Sequence, residues 1–319
     1  MEQLPLSATV KNSFPKSLRA TCFIISNIET GVVLHENNSK RKIHSGTFNN
    51  ILFAVSISKN ANFSFHSLDD MKQLANNVNV SEVMNNYAIE SGATNSNFFG
   101  LSQYVEKSKT TLYDMCCIFK NSYETIKAKQ LLRNDIRDVD ICFFKSPMSG
   151  VGCAFFIKNK NGAEFICVLY GLLSEKDALS DARLIAMWLE QFFVFQAAKK
   201  GDFIAEIPVF YGKQPKINLE INEDHLLLMS KKYQTKITRT IKHIAKIAAP
   251  INVDDEFGQI FYLTEIFENP VVKRIKSCQA VMKGSKLQTI IDAFYYVIFG
   301  TTVQTKPIEK DQDLSTSVQ

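Results

Sequence analysis

The sequence predicts an α+β fold in which an antiparallel sheet flanked by helices is followed by a β-rich domain. Apolar segments at 151–158 and 164–171 surround Asn161-Gly162, a dipeptide that favours tight hairpin turns, so they are expected to pair as antiparallel strands. Beyond residue 200 the pattern changes to short strands, of which 217–222 is the clearest because apolar and polar residues alternate there. We therefore predict a domain boundary at about residue 200.

A long helix is predicted between these two regions. Ser174 and Asp177 resemble a capping box, in which side chains at the helix start bond to free backbone N–H groups. Apolar residues then recur at spacings of three and four, which places them on one helix face. They are Leu179, Ala182, Ile185, Trp188, Leu189, Phe192 and Phe193. This helix is expected to pack that face on a sheet.

The first half of the chain shows the same mixture of strands and helices. A β-hairpin is predicted at 20–35 and helices at about 47–57 and 110–130. Residues 60–80 are rich in Asn and poorly periodic, and the segment that follows reads as a helix closed by Gly92.

Composition limits the function classes. The chain has 319 residues, 45% of them hydrophobic and 22% charged, which is typical of a globular protein and argues against disorder outside the tails. The net charge of +5 would suit an anionic partner, but Lys and Arg are spread along the chain. We interpret the charge as a solubility feature and expect no nucleic-acid partner.

Neither a metal site nor a cofactor is expected. The seven cysteines include no C-x-x-C pair and no histidine at zinc-ligand spacing. Most lie in apolar runs, where a reduced cysteine behaves as a small hydrophobic residue, and this weakly favours a reducing compartment. The five histidines are not placed by motif beside a serine or cysteine, so we expect them to have packing roles.

The two ends of the chain also carry expectations. Residues 1–20 contain no apolar stretch of the kind that a secretory signal needs, and no apolar run is long enough to cross a bilayer. The segment from Leu287 to Phe299 predicts a short apolar helix, for which packing on the β-rich domain and docking on a membrane surface remain open alternatives. A polar tail follows.

Several segments, in order, resemble one enzyme family. Residues 20–34 read as an apolar strand, an acidic turn and Thr30-Gly31-Val32-Val33-Leu34. Residues 83–98, the segment ending Tyr113-Asp114-Met115, and Phe144-Lys145-Ser146-Pro147 then follow in the family's order. Together they are similar to the serine D-alanyl-D-alanine carboxypeptidases, the low-molecular-mass penicillin-binding proteins of peptidase family S11. The resemblance covers roughly 20–300.

The resemblance implies that the catalytic residues are lost. The family's S-x-x-K motif corresponds to Gly46-Thr47-Phe48-Asn49, so Gly46 stands in place of the nucleophilic serine and Asn49 in place of the lysine. Such an enzyme needs a hydroxyl nucleophile with a base one helical turn away. Ser45 is adjacent, but a neighbour on a helix points about 100° away.

The other two family motifs are also changed. The resemblance implies that the S-x-N motif is deleted, because the chain is shorter than the family in that region. At the K-T-G strand, which in the family binds the substrate carboxylate, Lys145 is kept, Ser146 preserves a hydroxyl and Pro147 replaces glycine. We interpret these three residues as a remnant of a substrate-binding site. For Lys145 the alternatives are residual anion binding and an ordinary solvated lysine, and the second is favoured.

The resemblance implies a penicillin-binding/β-lactamase-like fold with a truncated helical subdomain. The predicted organisation is an N-terminal extension (1–19), a carboxypeptidase-like domain (20–200), a C-terminal β-rich domain (201–286), an apolar helix (287–300) and a polar tail (301–319). The implied function is binding or scaffolding by an inactive homologue at the cell envelope, toward peptidoglycan stem peptides or cell-wall enzymes. An active carboxypeptidase using displaced residues and a decaying gene product are the alternatives. Localisation stays open, because the family works outside the cytoplasmic membrane whereas no export signal is predicted in this chain, so a cytoplasmic location is the alternative.

Overall fold

The computed structural model describes residues 2–58, 75–76, 78–101, 106–128, 132–146, 150–232, 237–245, 247–299 and 303–306. The chain divides into two compact units between Phe192 and Phe193, whereas the boundary predicted from the sequence lies at about residue 200.

The first unit is built on one antiparallel sheet with helices on its faces. Its strands are β1 (Glu2–Gln3), β2 (Cys22–Asn27), β3 (Val32–Asn37), β4 (Ile43–His44), β5 (Lys109–Thr110), β6 (Arg133–Ile136), β7 (Val139–Ser146), β8 (Gly150–Lys158) and β9 (Glu164–Leu172). Among the described residues seven of them form the sheet, in the order β1-β3-β2-β9-β8-β7-β6, while β4 and β5 pair separately. Of the strand pairs that the described residues form in this sheet, only β1–β3 is parallel.

The helices of this unit are α1 (Ala8–Asn12), α2 (Phe48–Ser58), α3 (Val80–Glu90), α4 (Leu112–Ala128) and α5 (Glu175–Leu189). Residues of α2, α3 and α4 share a buried cluster with alternate residues of the central strands, Ile24 and Val168 among them. The helix α5 packs on β8 and β9. The central strands are therefore buried on both faces, which explains why their sequences are almost continuously apolar. The predicted α+β fold with an antiparallel sheet flanked by helices is confirmed.

The first nineteen residues, predicted as an extension, lie within this unit. The Ser13 hydroxyl accepts a hydrogen bond of 3.1 Å from the Trp188 indole, and Phe14 packs edge-on against the same ring. Further along, the Asp181 carboxylate accepts the backbone N–H groups of Arg19 and Ala20, each at 2.9 Å. These contacts fix the entry of β2 against α5.

The predicted end of helix α5 was wrong. The capping box forms as expected, with the Ser174 hydroxyl accepting the Asp177 N–H at 3.2 Å, but the helix ends at Leu189 and Phe192 begins a strand. The reason is a contact from the hairpin between β8 and β9. There the Asn159 amide donates to the carbonyls of Leu189 and Phe192, both at 2.8 Å, and so takes carbonyls that a longer helix would use.

The second unit is β-rich. Its strands are β10 (Phe192–Ala198), β11 (Phe203–Phe210), β12 (Lys216–Glu220), β13 (His225–Ser230), β14 (Thr238–Ile244), β15 (Ile247–Ala248), β16 (Glu256–Leu263), β17 (Val271–Lys276) and β18 (Val303–Lys306). In β12, Ile217 and Leu219 are buried while Asn218 between them is exposed, as the alternation predicted. The helix α6 (Lys286–Phe299) follows, and β18, in the predicted polar tail, pairs with β14.

Candidate functional site

Two segments that the sequence matched to family motifs meet where helix α2 begins beside the end of β7. Thr47 joins the two elements: its backbone N–H donates to the Lys145 carbonyl at 2.8 Å, and its hydroxyl accepts the Lys145 N–H at 2.9 Å. The structure therefore brings together the two segments that resemble the S-x-x-K and K-T-G motifs, although they are about a hundred residues apart in the chain. Sequence reasoning overlooked Thr47; its only signal was a hydroxyl between the two replaced positions.

Gly46 lies in the turn just before the helix and is buried. Its φ is +60°, in the left-handed region that favours glycine. An L-residue with a side chain pays roughly 1–2 kcal/mol to adopt this conformation. The glycine thus fits the local backbone, and a serine at this position would be strained.

Asn49 is fully buried, and its side chain links helix α2 to two distant residues by hydrogen bonds. Its amide donates to the Gly100 carbonyl at 2.7 Å and to the Ser108 hydroxyl at 3.0 Å. Ser108 in turn accepts the Phe99 N–H at 3.0 Å. At the position matched to the family's lysine, a neutral amide therefore uses its two N–H groups to hold Gly100 and Ser108 against helix α2.

Ser45, the adjacent hydroxyl, is closed off from solvent. Its side chain is fully buried, and its oxygen has no hydrogen-bond partner among the described residues. The neighbouring His44 Nδ1 is likewise buried without a partner in the described part of the chain. A nucleophile needs both a base and access for the substrate, and the geometry around Ser45 supplies no access.

Lys145 lies on the surface, with its side chain 68% exposed. Its Nζ is 3.7 Å from the Glu175 carboxylate, which also accepts a 2.8 Å bond from Arg133. This carboxylate partly neutralises both cations, and such exposed pairs contribute little to stability. Lys145 therefore keeps the capacity to meet an anionic group. The strand pairing places Ser146 opposite Gly150, whereas Pro147 lies outside the described residues.

The remaining matched segments have structural roles. The Asn85 side chain bonds both ways with the Phe98 backbone, donating to its carbonyl at 2.8 Å and accepting its N–H at 3.0 Å. Buried Asp114 accepts the Asn95 N–H at 2.8 Å and the Ser96 hydroxyl at 2.6 Å. These side chains hold helices α3 and α4 to the loop between them, a role that the residue types alone did not reveal.

The cysteines and His225 behave as packing residues. Six of the seven cysteines are buried, and burial raises the pKa of the Cys142 thiol to about 12. His225 is also buried, and its Nδ1 lies 2.7 Å from the Tyr262 hydroxyl. Burial first, and the charge of Lys273 second, lower the pKa of His225 from 6.5 to about 4. The described residues contain no cluster of His, Cys, Asp and Glu suited to a metal ion.

The C-terminal part of the chain is similar to a known protein family. Residues 192–273 match the family model of penicillin-binding protein 5, C-terminal domain. No curated protein matches the chain at a significant level. Penicillin binding protein 5 from Haemophilus influenzae superposes with a TM-score of 0.70 at 15% identity, covering 84% of this chain and 99% of that one. The chain has the fold of the penicillin-binding proteins.

Two further solved structures share the penicillin-binding protein fold. The D-alanyl-D-alanine carboxypeptidase DacD from Francisella tularensis gives a TM-score of 0.63 at 11% identity over 84% of this chain and 95% of that one. Penicillin binding protein 6B from Escherichia coli gives 0.59 at 13% identity over 87% and 99%. At this identity the likeness concerns the fold, and function must be argued from the site.

Proposed function

We propose that this protein is a non-catalytic homologue of the D-alanyl-D-alanine carboxypeptidases that binds peptidoglycan stem peptides or a cell-wall enzyme at the cell envelope. The observation that carries the proposal is the pair of replaced motif positions: Gly46 offers no hydroxyl, and Asn49 offers an amide already committed to two hydrogen bonds. Supporting it are the shared fold and the exposed ammonium of Lys145 at the end of β7.

The test of inactivity is acylation by a fluorescent penicillin, read by denaturing electrophoresis and intact mass. We expect no covalent adduct, because the chain places no accessible serine beside a base at the S-x-x-K position. A penicillin-binding protein with an intact motif serves as the positive control, and circular dichroism verifies the fold of the sample. A stoichiometric adduct would instead support an active enzyme with displaced residues, and peptide mapping would identify the serine.

The apolar face of helix α6 supports a membrane-surface contact as part of this proposal. Leu287, Ile290, Ile291 and Phe294 recur at the spacing of one helix face, and their exposures range from 44% to 69%. Asp292, off this stripe, accepts the Tyr211 N–H at 2.6 Å and so anchors the helix to its own unit. No helix among the described residues is long and apolar enough to cross a bilayer. An apolar stripe of this kind lies in the plane of an interface.

Vesicle binding tests this contact. Replacing Ile290 and Phe294 with glutamate is expected to weaken co-sedimentation with vesicles containing phosphatidylglycerol by more than tenfold, because each change removes exposed apolar area and adds negative charge. The control carries glutamates at Val253 and Leu263, which are exposed to a similar degree elsewhere in the same unit. Equal loss in both variants would mean that general charge, and not the helix face, governs the binding.

A further inference from the structure

A concave site lies at the far end of the first unit's sheet. The cleft has a volume of about 640 Å³ and is bounded by the C-terminal part of α4, the hairpin between β8 and β9, and the start of β7. The motif positions lie at the other end of β7, around Lys145. A volume of this size is in the range of small-ligand sites. Nothing in the carboxypeptidase resemblance assigns a role to it.

The floor of the cleft is aromatic and held in place. The Tyr123 ring stacks on Phe156 with centroids 4.3 Å apart. Its hydroxyl donates to the Asp140 carboxylate at 2.7 Å. Burial first, and this bond second, raise the pKa of Tyr123, so the ring stays neutral and its orientation is fixed. An apolar surface with one fixed polar edge can pack along the methylene groups of an extended ligand side chain.

The walls of the cleft are acidic, in contrast to the chain as a whole. The lining contains five carboxylates and three lysines, an excess of two negative charges, while the whole chain has a net charge of +5. One lysine, Lys158, is already paired with Glu164 at 2.9 Å. Glu124 forms no hydrogen bond or ion pair within the described part of the chain and is exposed. Such a cleft attracts cations.

One ammonium group of the chain itself already lies at the aromatic floor of the cleft. The Lys127 Nζ lies over the Tyr123 ring, 5.6 Å from the centroid, at the distance of a cation–π contact. Because Lys127 is an exposed residue on a flexible stem, it can move aside for a ligand that brings its own ammonium.

We propose that this cleft binds the side-chain ammonium of a lysine or other diamino acid in a short peptide. The aliphatic stem lies on the floor formed by Tyr123 and Phe156, and the ammonium faces the carboxylates of Glu124, Asp138 and Asp140. This deepens the proposed function, on which the identity of the peptide rests, because peptidoglycan stem peptides contain a diamino acid.

The test is calorimetric titration of the full chain with a synthetic stem pentapeptide containing lysine, and with the same peptide acetylated at the lysine Nε. Acetylation is expected to weaken binding at least tenfold because it removes the charge. The double variant Glu124→Gln, Asp138→Asn should weaken binding of the unmodified peptide about tenfold. Asn tolerates the positive φ of Asp138, which is +62°. The matched control is Glu265→Gln, Asp254→Asn in the other unit, where Asp254 has a φ of +73°. It should bind as the wild type does.

Two outcomes separate this inference from the proposed function. If the pentapeptide binds but is insensitive to acetylation and to the cleft variant, and is lost with Lys145→Met, then the cleft inference is overturned and the proposed function stands. The second probe is Nα-acetyl-lysine amide, followed by NMR of the Tyr123 ring. Shifts at Tyr123 without any pentapeptide binding would support the cleft and contradict stem-peptide binding. Absence of binding by both probes overturns the cleft inference.

Discussion

Asn49→Lys, which introduces the lysine that the family resemblance implies at this position, is expected to lower the free energy of unfolding by roughly 3 kcal/mol or more, because it places an ammonium where the side chain is fully buried. The two acceptors that the amide now serves, the Gly100 carbonyl and the Ser108 hydroxyl, are neutral and offset only part of the desolvation cost. The longer side chain must also fit a packed interior. Chemical denaturation followed by circular dichroism measures the change.

The matched control is Asn50→Lys, one residue further along the same helix. Asn50 is partly exposed, so the same chemical change there should cost less than about 1 kcal/mol. If the two variants were equally stable, the interior at Asn49 would have to be open to water, and the structural role assigned to the amide would be wrong.

Adding Gly46→Ser to Asn49→Lys completes the S-x-x-K motif in sequence but is not expected to restore acylation by penicillin. The serine would occupy a backbone with φ of +60°, at a further cost of roughly 1–2 kcal/mol, and would be buried. Catalysis depends on the position of groups as well as their identity, and a misplacement of about 1 Å can cost a hundredfold in rate. An adduct formed by the double variant would show that the site reopens readily.

The second unit is expected to lose stability as the pH falls from about 6.5 to about 4. The pKa of buried His225 is lowered from 6.5 to about 4, so between these values the unfolded chain binds a proton that the folded chain does not. The free energy of unfolding therefore rises with pH across this window. The contribution of neutral His225 to stability is complete above about pH 6.5. The difference between the two pKa values corresponds to about 3 kcal/mol. Denaturant unfolding at pH 4.5 to 7.5 measures it.

Two variants isolate the contribution of His225. His225→Gln removes the titrating group, so the pH dependence in this window should flatten even though the overall stability falls. Tyr262→Phe removes the hydroxyl 2.7 Å from His225 Nδ1 but leaves the imidazole buried, so the slope should remain while stability drops by about 1 kcal/mol. If the slope of the unfolding free energy against pH were unchanged in His225→Gln, the pH dependence would have to arise from other groups.

The sequence alone determined the features that depend on near neighbours in the chain. The hairpin between β8 and β9 follows from Asn161-Gly162 between two apolar runs, and the start of α5 follows from Ser174 and Asp177. The alternation in β12 predicted which of its side chains are buried. These patterns involve residues two to four positions apart, so they can be recognised without knowing the tertiary contacts of the segment. The order of the segments that resemble the carboxypeptidase family then predicted the fold.

The tertiary structure decided what the replaced residues do. From sequence, Gly46 and Asn49 were interpreted only as replacements of catalytic groups. The backbone at φ +60° and the amide bonded to residues 51 and 59 positions away give them structural roles. The end of α5 was set by Asn159, thirty residues away from Leu189. The acidic cleft is likewise assembled from several separate elements. Burial, conformation and charge at such places depend on contacts between distant parts of the chain, which local patterns of residue type do not encode.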